Sequence, residues 1–286
     1  MANIAFLGTG LLGGAFAEAA VKRGDTVTAW NRSPDKVLAL AQFGVKSATT
    51  SVEAVRGASR VHLVLKDDAV VDEVISAARS GLSPETILID HSTTLPRLTA
   101  ERAQRLQVQG VKYLHCPVFM GPPAARNAQG SMMVAGPRAL FESVKAELAK
   151  MTGRLEYMGE RTDLAAVNKL LGNAMIIGIT AMTADILTMA QASSVGAEDA
   201  IKLLGLLDLN AMVAGRGANM ARGNFAASFE LAMARKDVRL MLETAAAGDR
   251  PMAALPAVAG RMDQLIAAGH GAKDASVMAI DAVRRA

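Results

Sequence analysis

The sequence predicts an α/β fold: a Rossmann-type, doubly wound and mostly parallel sheet in residues 1–160, then an all-helical domain in 161–286. Three observations carry this reading. Short β-rich runs alternate with amphipathic segments through the first half. A glycine-rich turn follows the first of those runs. Beyond residue 163 the strand signal stops.

The strand runs are "NIAFLG" (3–8), "TVTAW" (26–30), "RVHLVL" (60–65), "TILID" (86–90), "VKYLHC" (111–116), "SMMVAG" (131–136) and "RLEYMG" (154–159). Between them, 11–23, 34–43, 67–80, 96–109 and 137–151 have helical spacing, with Pro34, Pro96 and Pro137 near first turns. Mostly apolar strands separated by helices argue for a parallel sheet covered on both faces. In the second half, 163–195, 197–206, 208–222, 228–247 and 251–268 read as helices, broken at Gly196, Gly223, Gly248-Asp249 and Gly269.

Composition narrows the function classes. The 286 residues are 51% apolar and 20% charged, as in a globular protein with a well-filled core. Net charge is +4, with basic residues scattered singly or in pairs such as Lys22-Arg23 and Arg284-Arg285, and no interleaved aromatics. That pattern favours anionic small ligands over nucleic acid. The single cysteine, Cys116, cannot form an internal disulfide, and no Cys/His spacing suits a metal, so a reducing compartment is expected. Met1 leads straight into "NIAFLGTG" with no basic n-region, which points to a cytoplasmic protein. The charge-free run 170–184 is shorter than a membrane span and is interrupted by Gly172, Asn173 and Gly178, so it reads as a buried helix. With so little polar surface on 164–195, part of that helix is expected to lie against another subunit.

"GTGLLGG" supplies Gly8-x-Gly10-x-x-Gly13, with Thr9, Leu11 and Leu12 between, after a strand and before a helix. Gly8 permits the turn, Gly10 lets the backbone approach a pyrophosphate, and Gly13 allows close helix–strand packing. The helix N-terminus then offers unpaired N–H groups and partial positive charge to the phosphates. At the end of the second strand, where an NAD site places an acid, stand Asn31, Arg32 and Ser33. A guanidinium suits a 2′-phosphate, so NADP(H) is preferred, with NAD(H) as second choice; otherwise Arg32 is an ordinary surface charge. Leu65 and Lys66 after one strand, and Ser92 and Thr93 after another, are candidate walls of the site; capping or turn roles are the alternative.

"AVNKLLGNAMIIGITAM" (165–181) contains one charge, Lys169. It either snorkels to water or serves chemistry. Asn173 lies four residues on, one turn along the same helical face. An ammonium there can protonate the alkoxide made by hydride addition to a carbonyl, and apolar surroundings lower a lysine's pKa towards the useful range.

Together "IAFLGTGLLGGAFAEAAVKRG", "WNRSPDK", "LKDDAVVDEVI", "DHSTTLP", "PV" with "GPPAARNAQGSMMVAG", "NKLLGN" and "FELAMARKDVRLMLETA" resemble the β-hydroxyacid dehydrogenase family over essentially the whole chain. That family includes 3-hydroxyisobutyrate, tartronate semialdehyde and glyoxylate/succinic semialdehyde enzymes and belongs to the 6-phosphogluconate dehydrogenase-type superfamily. The resemblance implies an NAD(P)-dependent dehydrogenase or reductase, Lys169 as catalytic lysine with Asn173 as companion, and Lys236 as a contact near the nicotinamide. It also implies a substrate segment reading Asp-Ala-Pro-Val-Ser-Gly-Gly, where this chain has His115-Cys116-Pro117-Val118-Phe119-Met120-Gly121. Phe119 replaces a hydroxyl donor and Met120 adds a side chain, which suits a larger or less acidic carbonyl substrate. The alternative is that both point into the sheet. Gly121 keeps a backbone contact and Ser92 a place near the substrate.

The expectation is therefore an NADP(H)-dependent oxidoreductase of a small aldehyde or ketone, such as a semialdehyde or 3-hydroxyacid pair, without metal. It is expected to form a homodimer or tetramer through the helical domain, with no nucleic-acid or membrane partner. The alternatives are an imine reductase of the same fold and a non-catalytic NADP-binding scaffold. His62, His91, His115 and His270 are dispersed in sequence and read as structural, with His91 adjacent to Ser92; Cys116 reads as packing.

Overall fold

The computed structural model describes residues 2–283, so the Arg284-Arg285 pair lies outside the described residues. Two compact units meet between Asn173 and Ala174. Strand–helix alternation ends at Gly159, close to the expected boundary of 160, but the first turns of the following helix pack with the sheet. That packing carries Lys169 and Asn173 into the first unit.

In the first unit, β1 (Asn3–Leu7), β2 (Thr26–Trp30), β3 (Lys46–Ser47), β4 (Arg60–Leu63), β5 (Ile87–Asp90) and β6 (Lys112–His115) are parallel, in the order β3-β2-β1-β4-β5-β6. The sheet continues through β8 (Ser131–Ala135), antiparallel to β6 and to β7 (Val118–Phe119), while β9 (Arg154–Gly159) runs parallel to β8. The short β3 and β7 carry too few residues for a periodic signal and are absent from the sequence reading. So are the five-residue helices α3 (Ser51–Val55) and α6 (Pro122–Arg126). The other helices are α1 (Leu11–Lys22), α2 (Pro34–Leu38), α4 (Asp68–Ala78), α5 (Pro96–Val108) and α7 (Arg138–Ala149). The expected helix 34–43 is α2 followed by a single 3₁₀ turn at Ala41–Phe43.

Apolar side chains leave the strands in both directions, and each face has its own core. One gathers Phe6, Phe16, Val27 and Leu114; the other gathers Leu7, Leu63, Leu88 and Leu106. Full burial of one such side chain is worth roughly 1.5–3 kcal/mol.

The interior also holds a polar seam at the carboxyl ends of the strands. Arg102 on α5 is fully buried and binds Asp72 (2.7 Å) and Asp68 (2.8 Å) on α4. Asp90, also fully buried, accepts from the Ser92 N–H (2.9 Å) and the Tyr113 hydroxyl (2.8 Å). Asp68 accepts from the Leu95 N–H (2.8 Å). Burial opposes the Arg102 charge, but Asp72 and Asp68 together hold the guanidinium firmly protonated. The loop 91–95 is thus fixed at both ends by carboxylates.

His62 and His91 are not dispersed in space: the Nδ1 of His62 lies 3.0 Å from the Nε2 of His91, with rings stacked 7° from parallel. The Nδ1–H of His91 donates to the Cys116 carbonyl at 2.8 Å, which fixes its tautomer and leaves Nε2 to accept from His62. Contact between residues 29 apart leaves no local signal.

In the second unit, α9 (Ala197–Lys202), α10 (Leu209–Ala221), α11 (Leu231–Ala246) and α12 (Leu255–Leu265) follow α8 (Leu164–Ala192). The core is built from Leu231, Val238, Leu255, Met262 and Leu265. Asp185 on α8 accepts the N–H groups of Ala253, Ala254 and Leu255 at the start of α12. The run 170–184 is not a buried helix, contrary to the sequence expectation. α8 is long and apolar enough to cross a membrane, and only 6% of its most apolar stretch is buried within the chain. Leu171, Met175, Ile176, Ile177 and Ile179 are exposed.

Burial holds His62 well below its ordinary range and His91 at about 4, so both are neutral in the folded protein. The unfolded chain binds these protons from about pH 6.5 downward, so stability falls as pH drops from there to about 4. Thermal melts between pH 7 and 4.5 should show that slope. His91→Gln removes one titrating ring and should reduce that slope, with His62 and the equally buried His115 supplying the rest.

Candidate active site

The first strand ends in a tight turn that only glycine can make. Gly8 has φ +96°, and a Cβ there would lie 2.3 Å from the Val64 carbonyl oxygen. A Cβ on Gly13 would meet the Gly8 carbonyl oxygen at 2.1 Å, so the missing side chain lets α1 start directly behind the loop. Gly10, the N-cap of α1, faces open space, and the first turn carries no acid and no side-chain cap. These unpaired N–H groups and the helix dipole suit a pyrophosphate. The residues present fit a dinucleotide.

Asn31 stands where an NAD site places an acid, and it works on the loop. Its Oδ1 accepts from the Thr9 N–H at 3.0 Å, and its Nδ2 donates to the Ser33 carbonyl at 3.1 Å. It ties the glycine turn to the end of β2. Thr9 is buried, with its hydroxyl unpartnered among the described residues, so it serves the loop from inside rather than lining the cavity.

A cavity of about 470 Å³ opens over this turn. Gly8, Gly10, Leu11, Leu12, Gly13, Asn31, Arg32, Ser33, Leu65, Lys66, Ser92 and Thr93 line it, as the strand-end rule expects. Ser92, assigned to substrate, therefore faces the nucleotide cavity, and its Oγ accepts from the Leu65 N–H at 3.0 Å. Sequence reasoning missed Trp30, Lys36 and Glu73, and assigned no wall role to His91. Lys36 and Glu73 sit on helical turns following candidate segments, where spacing alone does not say which face meets a ligand. Arg32, Lys36 and Lys66 bring three cations to one cavity; Lys66 also pairs with Asp67 at 3.7 Å.

A second group lies along the segment leaving β6. Lys169 Nζ donates to the Val118 carbonyl at 2.8 Å and sits over the Phe119 ring, 4.2 Å from its centroid. Its hydrogen bond goes to the backbone rather than to Asn173. The side chain is half-buried, and desolvation pulls its pKa below the ordinary lysine value. Phe119 also packs against Met133, Ala135 and Ala165. Met120 is partly buried and packs against the core beside β7, and Gly121 is the exposed N-cap of α6. Cys116 is buried and its thiol pushed well up by desolvation, consistent with packing. Lys236 belongs to the second unit, on α11, paired with Asp237 at 2.9 Å. Among the described residues, no cluster of three or more His, Cys, Asp or Glu could hold a metal.

The two groups are joined through the backbone. His91 lines the cavity and holds the Cys116 carbonyl, two residues before the carbonyl that holds Lys169.

Comparison with known proteins agrees with a dinucleotide-binding domain in the first half of the chain. The sequence profile of the NAD binding domain of 6-phosphogluconate dehydrogenase matches residues 3–159. Glyoxylate/succinic semialdehyde reductase 1 of Arabidopsis thaliana is 26% identical over 265 residues, 90% of this chain and 89% of its own. Cytokine-like nuclear factor N-PAC of Homo sapiens is 27% identical over 253 residues, 87% of this chain; the chain spans about half of that protein, 46%. The Streptomyces aurantiacus imine reductase superposes with a TM-score of 0.87 at 26% identity, over 98% of this chain and 99% of that one. The chain belongs to the 6-phosphogluconate dehydrogenase family of NAD(P)-binding oxidoreductases, the group that takes in hydroxyacid dehydrogenases and imine reductases.

Proposed function

We propose that this protein is an NADP(H)-dependent oxidoreductase of the β-hydroxyacid dehydrogenase type. It transfers hydride between NADPH and a small aldehyde or ketone, with semialdehyde and 3-hydroxyacid pairs as the reference substrates. The observation that carries this reading is Lys169: a half-buried ammonium, anchored by the Val118 carbonyl on the segment that leaves β6. When bound, the dihydronicotinamide supplies the hydride that reduces the carbonyl carbon. Lys169 gives an N–H proton to the oxygen as the C=O π pair moves onto it, and the neutral amine regains a proton from solvent. Desolvation makes that proton easier to release. Asn173, one turn along, would orient the substrate oxygen, and the family resemblance would give Lys236 a contact with the nicotinamide end.

Preference for NADP(H) rests on Arg32, with Lys36 and Lys66 on the same cavity and no acid at the end of β2. The exposed apolar face of α8 supports a homodimer or tetramer formed through the helical domain. The scattered basic residues, without interleaved aromatics, support a small anionic ligand over nucleic acid, in a cytoplasmic enzyme. A second reading, an imine reductase, is favoured by the likeness to the Streptomyces aurantiacus enzyme and by the aromatic ring beneath Lys169.

NADPH oxidation against semialdehydes, glyoxylate and cyclic imines should show carbonyl turnover that falls about 10²–10⁴-fold in Lys169→Ala. Imine turnover untouched by that change supports the second reading, and tight NADPH binding without turnover supports a scaffold. Arg32→Ala should weaken NADPH binding about tenfold or more and leave NADH nearly unchanged, read by fluorescence titration. Unchanged NADPH affinity removes the 2′-phosphate assignment. Light scattering at micromolar concentration should give a dimer or tetramer, and Ile176→Glu with Ile177→Glu should shift it towards monomer. A monomeric wild type sinks the interface.

A further inference from the structure

The Phe119 ring occupies a slot made for it. Its tip abuts the backbone of α8 at Gly172, where a Cβ would lie 2.2 Å from the ring's Cζ. The Lys169 ammonium, three residues earlier on the same helical face, covers the ring's face at 4.2 Å. Any side chain at Gly172 would displace the ring from beneath the lysine. Gly172 therefore has a reason to be glycine that helix propensity opposes.

We propose that Phe119, seated by Gly172, makes this site select an uncharged aldehyde or ketone with an apolar substituent over the equivalent carboxylate-bearing carbonyl. This rests on the oxidoreductase reading above and names the substrate class of that site.

A carboxylate needs several N–H or O–H donors once it leaves water. The segment beside Lys169 is short of them. Pro117, Pro122 and Pro123 have no backbone N–H, and Phe119, Met120 and Gly121 offer backbone N–H groups but no side-chain donor. α6 opens with both prolines in its first turn, so its start offers fewer N–H groups than an ordinary helix. The aromatic face carries negative quadrupole density, which attracts the ammonium and offsets part of its pull on an anion. Of the three N–H donors on Lys169, one goes to Val118, and the Phe119 ring covers another side of the ammonium. What is left, with the Asn173 amide one turn along, suffices for a single neutral carbonyl oxygen. An apolar substituent gains by packing against the part of the ring that Lys169, Gly172 and the β8 side chains leave exposed.

Succinic semialdehyde and its methyl ester form a matched pair that differs in the charge of one end. With NADPH and the wild-type protein, kcat/KM for the ester should exceed that for the acid by about tenfold or more. Phe119→Ser should bring the ratio to within about threefold, while Phe119→Leu, apolar and similar in reach, should keep most of it. NADPH titration and a melting curve on each variant show that the fold and cofactor site persist, and the wild-type ratio stands as a test without any variant. An acid preferred by the wild type, with turnover abolished in Lys169→Ala, overturns the substrate class and leaves the oxidoreductase reading intact. A ratio unmoved by Phe119→Ser overturns the role of Phe119. No turnover of either compound by a protein that binds NADPH overturns both.

Discussion

Three consecutive carbonyls, those of Cys116, Pro117 and Val118, point to three different elements. The first accepts from His91 at the end of β5, the second from the Met133 N–H on β8 at 3.0 Å, and the third from Lys169 on α8. The Cys116 N–H in turn donates to the Asp90 carbonyl at 2.6 Å. Everything at the active edge refers back to this corner. It aligns the wall of the nucleotide cavity, turns the sheet from parallel to antiparallel, and sets where the ammonium can be. Proline in the middle supplies rigidity without needing a hydrogen-bond partner for its nitrogen, since it has no N–H to satisfy.

Behind the corner, buried charge is used for position. A fully buried arginine is rarely the most stabilising choice, because desolvation can exceed the Coulombic gain. Arg102 is nevertheless matched by Asp68 and Asp72, and Asp90 lies 3.9 Å from its Nη1. Through Asp68 and Asp90 this cluster grips the N–H groups of Leu95 and Ser92. Ser92 passes the constraint to Leu65. Two loops that come from different strands thus share one scaffold, with no flexible side chain between them. The histidine pair does the same work at lower electrostatic cost, because burial keeps both rings neutral.

How much of this was legible depended on range. The glycine turn, the alternation of strands and helices, and the lysine with its neighbour four residues on are local patterns, and their physical reasons are visible in a few consecutive residues. Contacts between distant residues were not. Nothing in "RVHLV" and "IDHST" says that His62 and His91 stack, and nothing around Asn31 says that its amide, rather than an acid's carboxylate, will be spent on Thr9. α8 misled for a related reason. Low polarity marks a surface that water should not see, but does not say whether this chain or another covers it. The boundary near 160 follows the end of strand alternation, whereas compactness follows packing, and Ala165 and Ala166 pack with the sheet side of the chain.

Lys169 is held between opposing demands. Desolvation favours the neutral amine, and both its neighbours favour the cation: a carbonyl oxygen at 2.8 Å and an aromatic face at 4.2 Å. A fully buried lysine would lose its proton before the reaction needed it, and a fully solvated one would hold it too tightly. Half-burial over Phe119 lies between those limits. The ring therefore does two things with one surface. It excludes water from one side of the ammonium while replacing part of the lost hydration with its quadrupole. A serine at that position would offer a hydroxyl and leave room for water, which would resolvate the lysine as well as admit an anion. Proton affinity and substrate charge are for that reason coupled at residue 119, and a change that relaxes one alters the other.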